Sequence, residues 1–322
     1  MTSLPPVDPS VLADLEVFLS RAATGPFHYE ACHHFHGSDA LPHVVLGFVV
    51  HGNEVGSLRA AVELQSELLA RPPAAPVTLL LGNLDAVAQG VRYLEEDFNR
   101  VFAFDAPARS LERRRAERVR PILDQADYFL DFHQTGTPTQ SAFWTMPWTA
   151  ELGLLARAIG AAPRGVTRKR TQAFSPGLVC LDEYVRARGK LGITVELGER
   201  GLSPVQASNC FLAAKRLIDV AEQLGAGRTL VEIAALQPAV SWLETVHVVS
   251  SEGGKRRLRP GLTNFTPVRA GEELGAQGYP SVSCPADGFA LFPTYVENAE
   301  QAPPELVRVA REVTDPNRAF GD

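Results

Sequence analysis

Residues 44–57 read "VVLGFVVHGNEVGS". An unbroken apolar run, Val44 to Val50, stops at His51, and Glu54 follows three residues later. Continuous apolar runs of this length are typical of strands buried on both faces of a parallel sheet. Two ionisable residues where such a strand stops can be an ordinary polar cap or part of a metal site, and the pair alone leaves both open.

Three more runs repeat the arrangement. "VTLLLG" (77–82) meets Asn83, "ADYFLDFH" (126–133) ends in His133, and "LGITVELG" (191–198) carries Glu196. In open α/β sheets the ligand site lies beyond the carboxyl ends of the strands. Four segments therefore send His, Asn, His and Glu toward one edge. Two histidines and a carboxylate form a catalytic zinc set with an open fourth position, which predicts His51, Glu54 and His133 as ligands. Glu196 reaches the same edge and is not needed as a ligand, so it is the candidate to take and return a proton. Arg92, Asn99 and Arg100 cluster in "GVRYLEEDFNRVF" (90–102). They suit carboxylate recognition, or a solvated loop of mixed charge.

Between the runs lie helical patterns at 9–23, 56–70, 107–124 and 203–224, the last opened by "LSP" as cap and first turn. In the 107–124 helix Leu111, Val119, Ile122 and Leu123 are expected to face inward. The expected fold is α/β, with a mixed, mostly parallel central sheet flanked by helices. After "QLGAGR" the texture becomes short, β-rich and punctuated by Gly and Pro. That predicts a catalytic domain over 1–228 and a small β-rich domain over 229–322, closed by a helix at 303–313.

The chain has 322 residues, 45% hydrophobic and 21% charged, which suits a soluble enzyme with a sizeable core. A net charge of −6 argues against a general nucleic-acid binder. No basic leader precedes an apolar segment at the N-terminus, and no run is long enough to span a bilayer. The four cysteines form no CxxC pair, which predicts reduced thiols and a cytoplasmic protein. Homo-oligomerisation stays open. "CHHFH" (32–36) fits no standard zinc module and reads as an exposed strand face or a fortuitous metal binder. "RSLERRRAERVR" (109–120) reads as a solvated helix face partly paired with Glu112 and Glu117, and "RGVTRKR" (164–170) as an anionic pocket or a surface loop.

In order along the chain, "HGNE" (51–54), "GN" (82–83), "RYLEEDFNRVF" (92–102), "DFHQT" (131–135) and "TVELG" (194–198) resemble the succinylglutamate desuccinylase/aspartoacylase family of the zinc carboxypeptidase superfamily. "LTNFTPVRAGEELGAQ" (262–277) and "DGFALFP" (287–293) resemble its desuccinylase branch. The resemblance implies a zinc-carboxypeptidase-like fold and one zinc per chain on His51, Glu54 and His133. It implies Glu196 as base then acid, Arg92 as oxyanion stabiliser, and Asn99 and Arg100 as carboxylate grips. Arg186, ten residues before Glu196, matches a further substrate arginine of aspartoacylases. The implied reaction cleaves the amide of a small anionic N-acyl amino acid, N-succinylglutamate first. Alternatives are an aspartoacylase-like or broader deacylase and, further off, a non-catalytic metabolite binder. The chain reads "DFHQTGTPTQS" where the desuccinylase branch has "DLHTAIRGS", so the arginine of that motif is absent.

Overall fold

A computed structural model describes residues 6–105, 107–169, 174–175, 177–295 and 304–320. Three helices and the edge of a sheet come first: α1 (Pro9–Ser20), β1 (Cys32–Phe35), β2 (Val44–Phe48), α2 (Leu58–Ala70), β3 (Val77–Leu81) and α3 (Leu84–Gln89). The middle of the chain supplies α4 (Leu111–Gln125), β4 (Tyr128–Thr135), β5 (Phe143–Pro147), α5 (Ala150–Ile159), β6 (Arg164–Arg168), α6 (Leu181–Arg186) and β7 (Leu191–Glu199). The remainder is α7 (Pro204–Gly225), α8 (Leu230–Ala235), β8 (Ser241–Ser250), β9 (Thr266–Val268), β10 (Gly288–Leu291), β11 (Glu305–Val313) and α9 (Pro316–Phe320).

Among the described residues one mixed sheet has 11 strands, ordered β1-β3-β2-β4-β7-β5-β6-β8-β11-β10-β9. The α/β expectation is met, with a parallel centre: β3, β2, β4 and β7 run side by side in one direction. Their residues are buried almost throughout, because helices cover both faces. β5 turns antiparallel to β7, and β8 lies parallel to β6, so the sheet continues past the expected division after α7. A second apolar cluster, including Leu262, Leu274, Leu306 and Val309, lies under the C-terminal strands. A small joining cluster brings Phe143 and Val166 against Phe265, Leu291 and Ala310.

Several local expectations are corrected. Residues 305–313 form β11, not a helix (Pro303 lies outside the described residues). "ELVRVAREV" satisfies both periods, and pairing with β8 and β10 decides for strand. "RGVTR" is the interior strand β6, whereas Arg170 is outside the described residues. Leu111 is exposed at the first turn of α4, and Ala116 takes the inward place. The arginines of α4 are largely engaged: Arg115 donates to Tyr29 Oη at 3.1 Å and pairs with Asp85, and Arg118 pairs with Glu30. Of "CHHFH" only His36 is exposed, and Cys32–Phe35 is largely buried. His33 stacks on Phe35 at 4.2 Å, and His34 and His43 each lie 2.9 Å from Thr78 Oγ1. Among the described residues no helix is long and apolar enough to cross a membrane.

Candidate metal and catalytic centre

The register of the central strands assembles the site. β4 and β7 pair so that His133 lies opposite Glu196. β2 ends one step earlier, and the chain turns sharply through Val49, whose φ of +45° is strained for a β-branched residue. Close packing fixes the turn that follows. A Cβ on Gly52 would lie 2.2 Å from the carbonyl carbon of Ala86, and one on Gly82 2.6 Å from Val50 Cα. The glycines of "HGNE" and "GN" are thus required by backbone approach. Gly52 N–H donates to the carbonyl of Arg92 at 3.1 Å, which ties this turn to the next loop.

His51, Glu54 and His133 are the only three His, Cys, Asp or Glu residues among those described whose ligand atoms lie within 4.8 Å of one another. All three are buried. His51 Nδ1 faces Glu54 Oε1 at 2.8 Å, and His133 Nδ1 faces Glu54 Oε2 at 2.9 Å. The outer nitrogens meet carboxylates: His51 Nε2 donates to Asp97 Oδ1 at 3.0 Å and His133 Nε2 to Asp131 Oδ2 at 2.9 Å, tautomers assigned from these contacts. An outer carboxylate that orients each imidazole and leaves its inner lone pair available is the usual support of a metal-binding histidine. Two inner nitrogens and a carboxylate, dry and converging, fit a divalent cation such as zinc with one position open.

Burial works against ionisation of Glu54, but the two histidines outweigh it and hold its carboxyl well below the usual range. His133 loses hydration too, yet Asp131 and Glu54 raise its pKa well above that of free imidazole. Asp97 is likewise depressed despite its burial, by His51, Arg92 and Arg100. For Glu196 burial wins. With Glu54 nearby it pushes the carboxyl up to about 7, against the pull of His133 and Arg92. Glu196 Oε2 is buried without a hydrogen-bond partner. A carboxylate in that condition, beside a cation site, can exchange protons near neutral pH.

Arg92 lies on the open side. Its Nε and Nη2 donate to Asp97 Oδ2 at 3.2 and 3.1 Å, and its Nη1 to Glu54 Oε1 at 3.0 Å. Asn99 Nδ2 is 3.1 Å from His133 Nε2, while its Oδ1 accepts from Leu181 N. Arg100 follows, with Nη1 on Asn99 O at 2.6 Å and on Cys180 Sγ at 3.2 Å. Six sequence-predicted residues therefore surround one point: His51, Glu54, His133, Glu196, Arg92 and Asn99, with Arg100 next to them.

Arg186 does not join them. Its Nη1 holds Asp182 Oδ2 at 2.6 Å and Gly192 O at 2.7 Å, at the start of β7. Gly192 pairs with Phe129, so about 13 Å of strand separates that contact from Glu196. The ten-residue spacing is taken up by the last turn of α6 and the turn into β7. Asn83 also turns away, its amide donating to Glu112 Oε1 at 3.1 Å.

Four residues of the site went unread in the sequence. Asp131 stands two before His133 on the same strand face, a D-x-H signal that was available. Asp97 lies in the acidic run before Asn99. Glu112, expected to pair with helix arginines, is 1% exposed and accepts from the backbone of Leu94, Glu95 and Glu96 at 2.8–3.2 Å. Gln134 donates its backbone N–H to Glu54 Oε2 at 3.0 Å. Its side chain ties Gly56 N to the carbonyls of Glu199 and Gly201.

Comparison with known proteins agrees with this geometry. The family model described as the succinylglutamate desuccinylase/aspartoacylase catalytic domain matches residues 40–219. A protein named succinylglutamate desuccinylase from Serratia proteamaculans (strain 568) is 28% identical over 260 residues, covering 72% of this chain and 73% of its own. Among solved structures, succinylglutamate desuccinylase from Vibrio cholerae superposes with a TM-score of 0.70 at 15% identity, over 88% of this chain and 86% of that one. Murine aminoacylase 3 gives a TM-score of 0.63 at 18% identity, over 86% and 97%. At such identities the two structures establish the fold alone.

Proposed function

The chain belongs to the succinylglutamate desuccinylase/aspartoacylase family of hydrolases, and we propose that it is a zinc-dependent deacylase whose first substrate is N-succinylglutamate. The family implies an N-acyl amino acid as substrate. The succinyl and glutamate assignments rest on the name of the Serratia relative. The observation that carries the catalytic reading is the orphaned, buried Glu196 carboxylate opposite His133, beside a complete His-Glu-His donor set.

His51, Glu54 and His133 would hold one zinc per chain, which would supply Lewis acidity at the acyl carbonyl and acidify a water. Glu196 takes the water's proton as its oxygen attacks the carbonyl carbon. Its pKa near 7 suits both that step and the return of the proton to the departing amine. The carbon–nitrogen bond breaks, leaving a carboxylate and a free amino acid. Arg92, braced by Asp97 and by Glu54, offers the second N–H of its Nη1 to the oxygen on which charge develops. Asn99 and Arg100 hold a carboxylate of the amino-acid part.

The test pairs metal content with turnover. Protein prepared without chelator is expected to carry about one zinc per chain. His133→Ala should lose the metal, and Glu196→Ala should keep it and lose hydrolysis. A panel of N-succinyl, N-acetyl and N-formyl amino acids ranks the substrates. Retained zinc in His133→Ala would sink the ligand assignment. Preference for another acyl group would move the substrate within the family.

A further inference from the structure

The turn that follows His133 is held from the other end of the chain. Asn264 lies just before β9 and is 1% exposed. Its Nδ2 donates to Thr137 O at 3.1 Å, with Thr137 Oγ1 and Pro138 O both at 3.3 Å, and its Oδ1 accepts from Phe292 N at 2.8 Å. Its backbone N–H donates to Pro138 O at 3.0 Å. Carbonyls on one side and an N–H on the other leave the amide a single orientation. Thr137 O also accepts from Thr135 Oγ1 at 2.6 Å, and that hydroxyl lies 3.1 Å from the carbonyl of Gly198, just beyond Glu196 on β7.

A second route leads to the same carboxylate. β5 pairs with β7 so that Phe143 lies opposite Glu196. Phe143 is fully buried, and the rings of Phe265 and Phe292 pack on it with centres 5.0 and 5.6 Å away. The first of these neighbours follows Asn264 in the chain, and the second gives Asn264 its N–H. Both are in the left-handed region, with φ of +65° and +49°. Bulky residues take that conformation only where the surroundings impose it, and such strain gathers where geometry must be fixed. The Asn264 carbonyl on Phe292 N, and Phe265 N on Ala290 O at 2.8 Å, impose it here.

Glu196 Oε2 is buried without a hydrogen-bond partner, so its placement depends on the strand that carries it. We propose that Asn264 is a positioning residue for Glu196. It locks the β4–β5 turn against β7 and seats Phe265 and Phe292 on Phe143, and so fixes where the base stands relative to the metal-binding set. The C-terminal strands thereby act on turnover without touching the substrate. The inference rests on the deacylase reading above and adds which distant residue holds its base in place.

The experiment compares Asn264→Ala and Thr135→Val with the wild type, using the best N-acyl amino acid of the panel. Zinc per chain, thermal midpoint, kcat and KM are measured, together with amide hydrogen exchange over residues 134–142. Well below its midpoint, Asn264→Ala should keep its zinc, hold KM within about twofold and lower kcat by about tenfold to a hundredfold, the scale of a slightly displaced catalytic group. Exchange over 134–142 should quicken more than elsewhere. Thr135→Val preserves size and removes only the hydroxyl, so it tests the link even if Asn264→Ala does not fold; its kcat should fall by about threefold or more. A purely structural role would lower the midpoint and leave the kcat of folded enzyme alone. Wild-type kcat in folded Asn264→Ala, or in Thr135→Val should the other not fold, overturns the assignment. Loss of zinc, or a fall confined to KM, overturns it too, by moving the turn's effect to the metal or to substrate binding. No hydrolysis by the wild type would sink the deacylase reading itself. Quickened exchange over 134–142 in Asn264→Ala would still uphold the clamp, and unchanged exchange would overturn it.

Discussion

Glu112→Gln tests whether one buried carboxylate holds the loop that carries Arg92 and Asp97. In the native protein Oε1 accepts from Asn83 Nδ2 and Leu94 N, and Oε2 from Glu95 N and Glu96 N. Glutamine keeps one acceptor and turns an NH2 group toward the other two N–H donors. Glu95 is exposed and its N–H can return to water, but Glu96 is half-buried. Losing one well-placed donor and the charge on the remaining bonds costs about 3 kcal/mol. For a chain of this size that lowers the thermal midpoint by about 4–5 °C. The pH dependence gives an internal check. Burial raises the Glu112 pKa, but the N–H of Leu94, the Asn83 amide and the N–H of Glu96 together hold it below its ordinary 4.5. A depressed carboxylate stabilises fully above the unfolded value and loses that contribution as pH falls through the folded value. The gap between wild type and variant, followed by thermal unfolding, should be full near neutrality and shrink below about pH 4.5. Loosening the loop should also lower kcat/KM. A midpoint within a degree of wild type at pH 7, or a gap that does not change with pH, would refute the reasoning.

Arg92→Met is expected to lower kcat/KM by about 10²–10³ with zinc content unchanged, as for loss of one oxyanion donor; a parallel fall in bound zinc, measured on the same samples, would assign Arg92 to metal retention instead. Gly52→Ala forces a methyl group against the Ala86 backbone and should destabilise by about 1–3 kcal/mol or more while weakening zinc binding, read by thermal unfolding and chelator competition. Wild-type behaviour would mean that the turn can relax. Gln134→Ala strips the side-chain ties among Gly56, Glu199 and Gly201 and should cost about 2–4 kcal/mol in denaturant unfolding. No loss would show that these groups are served equally well by water.

The parts of the site lying within one turn or at one strand end were legible in the chain. His51 and Glu54 follow β2, His133 and Glu196 sit on β4 and β7, and a strand's carboxyl end faces the site whatever its neighbours are. The helix opened by Ser203 and Pro204 was equally plain, because cap and period agree. Arg186 is not placed by its spacing, because ten positions across a helix end do not correspond to a fixed reach; it holds Asp182 and the Gly192 carbonyl.

The sequence by itself determined the α/β class and the donor set, since burial period and strand-end chemistry are local properties. Only the tertiary structure decided the rest. "ELVRVAREV" became a strand because two partners offered edges, and Glu112 became a loop anchor because distant backbone donors reached it. Asp97 and Asp131 became the outer partners of the histidines through side-chain directions that periodicity does not specify. Arg308 reached Phe174 only because β11 joined the same sheet as the catalytic strands. Contacts between residues far apart in the chain depend on sheet order, and sheet order is a property of the assembled fold.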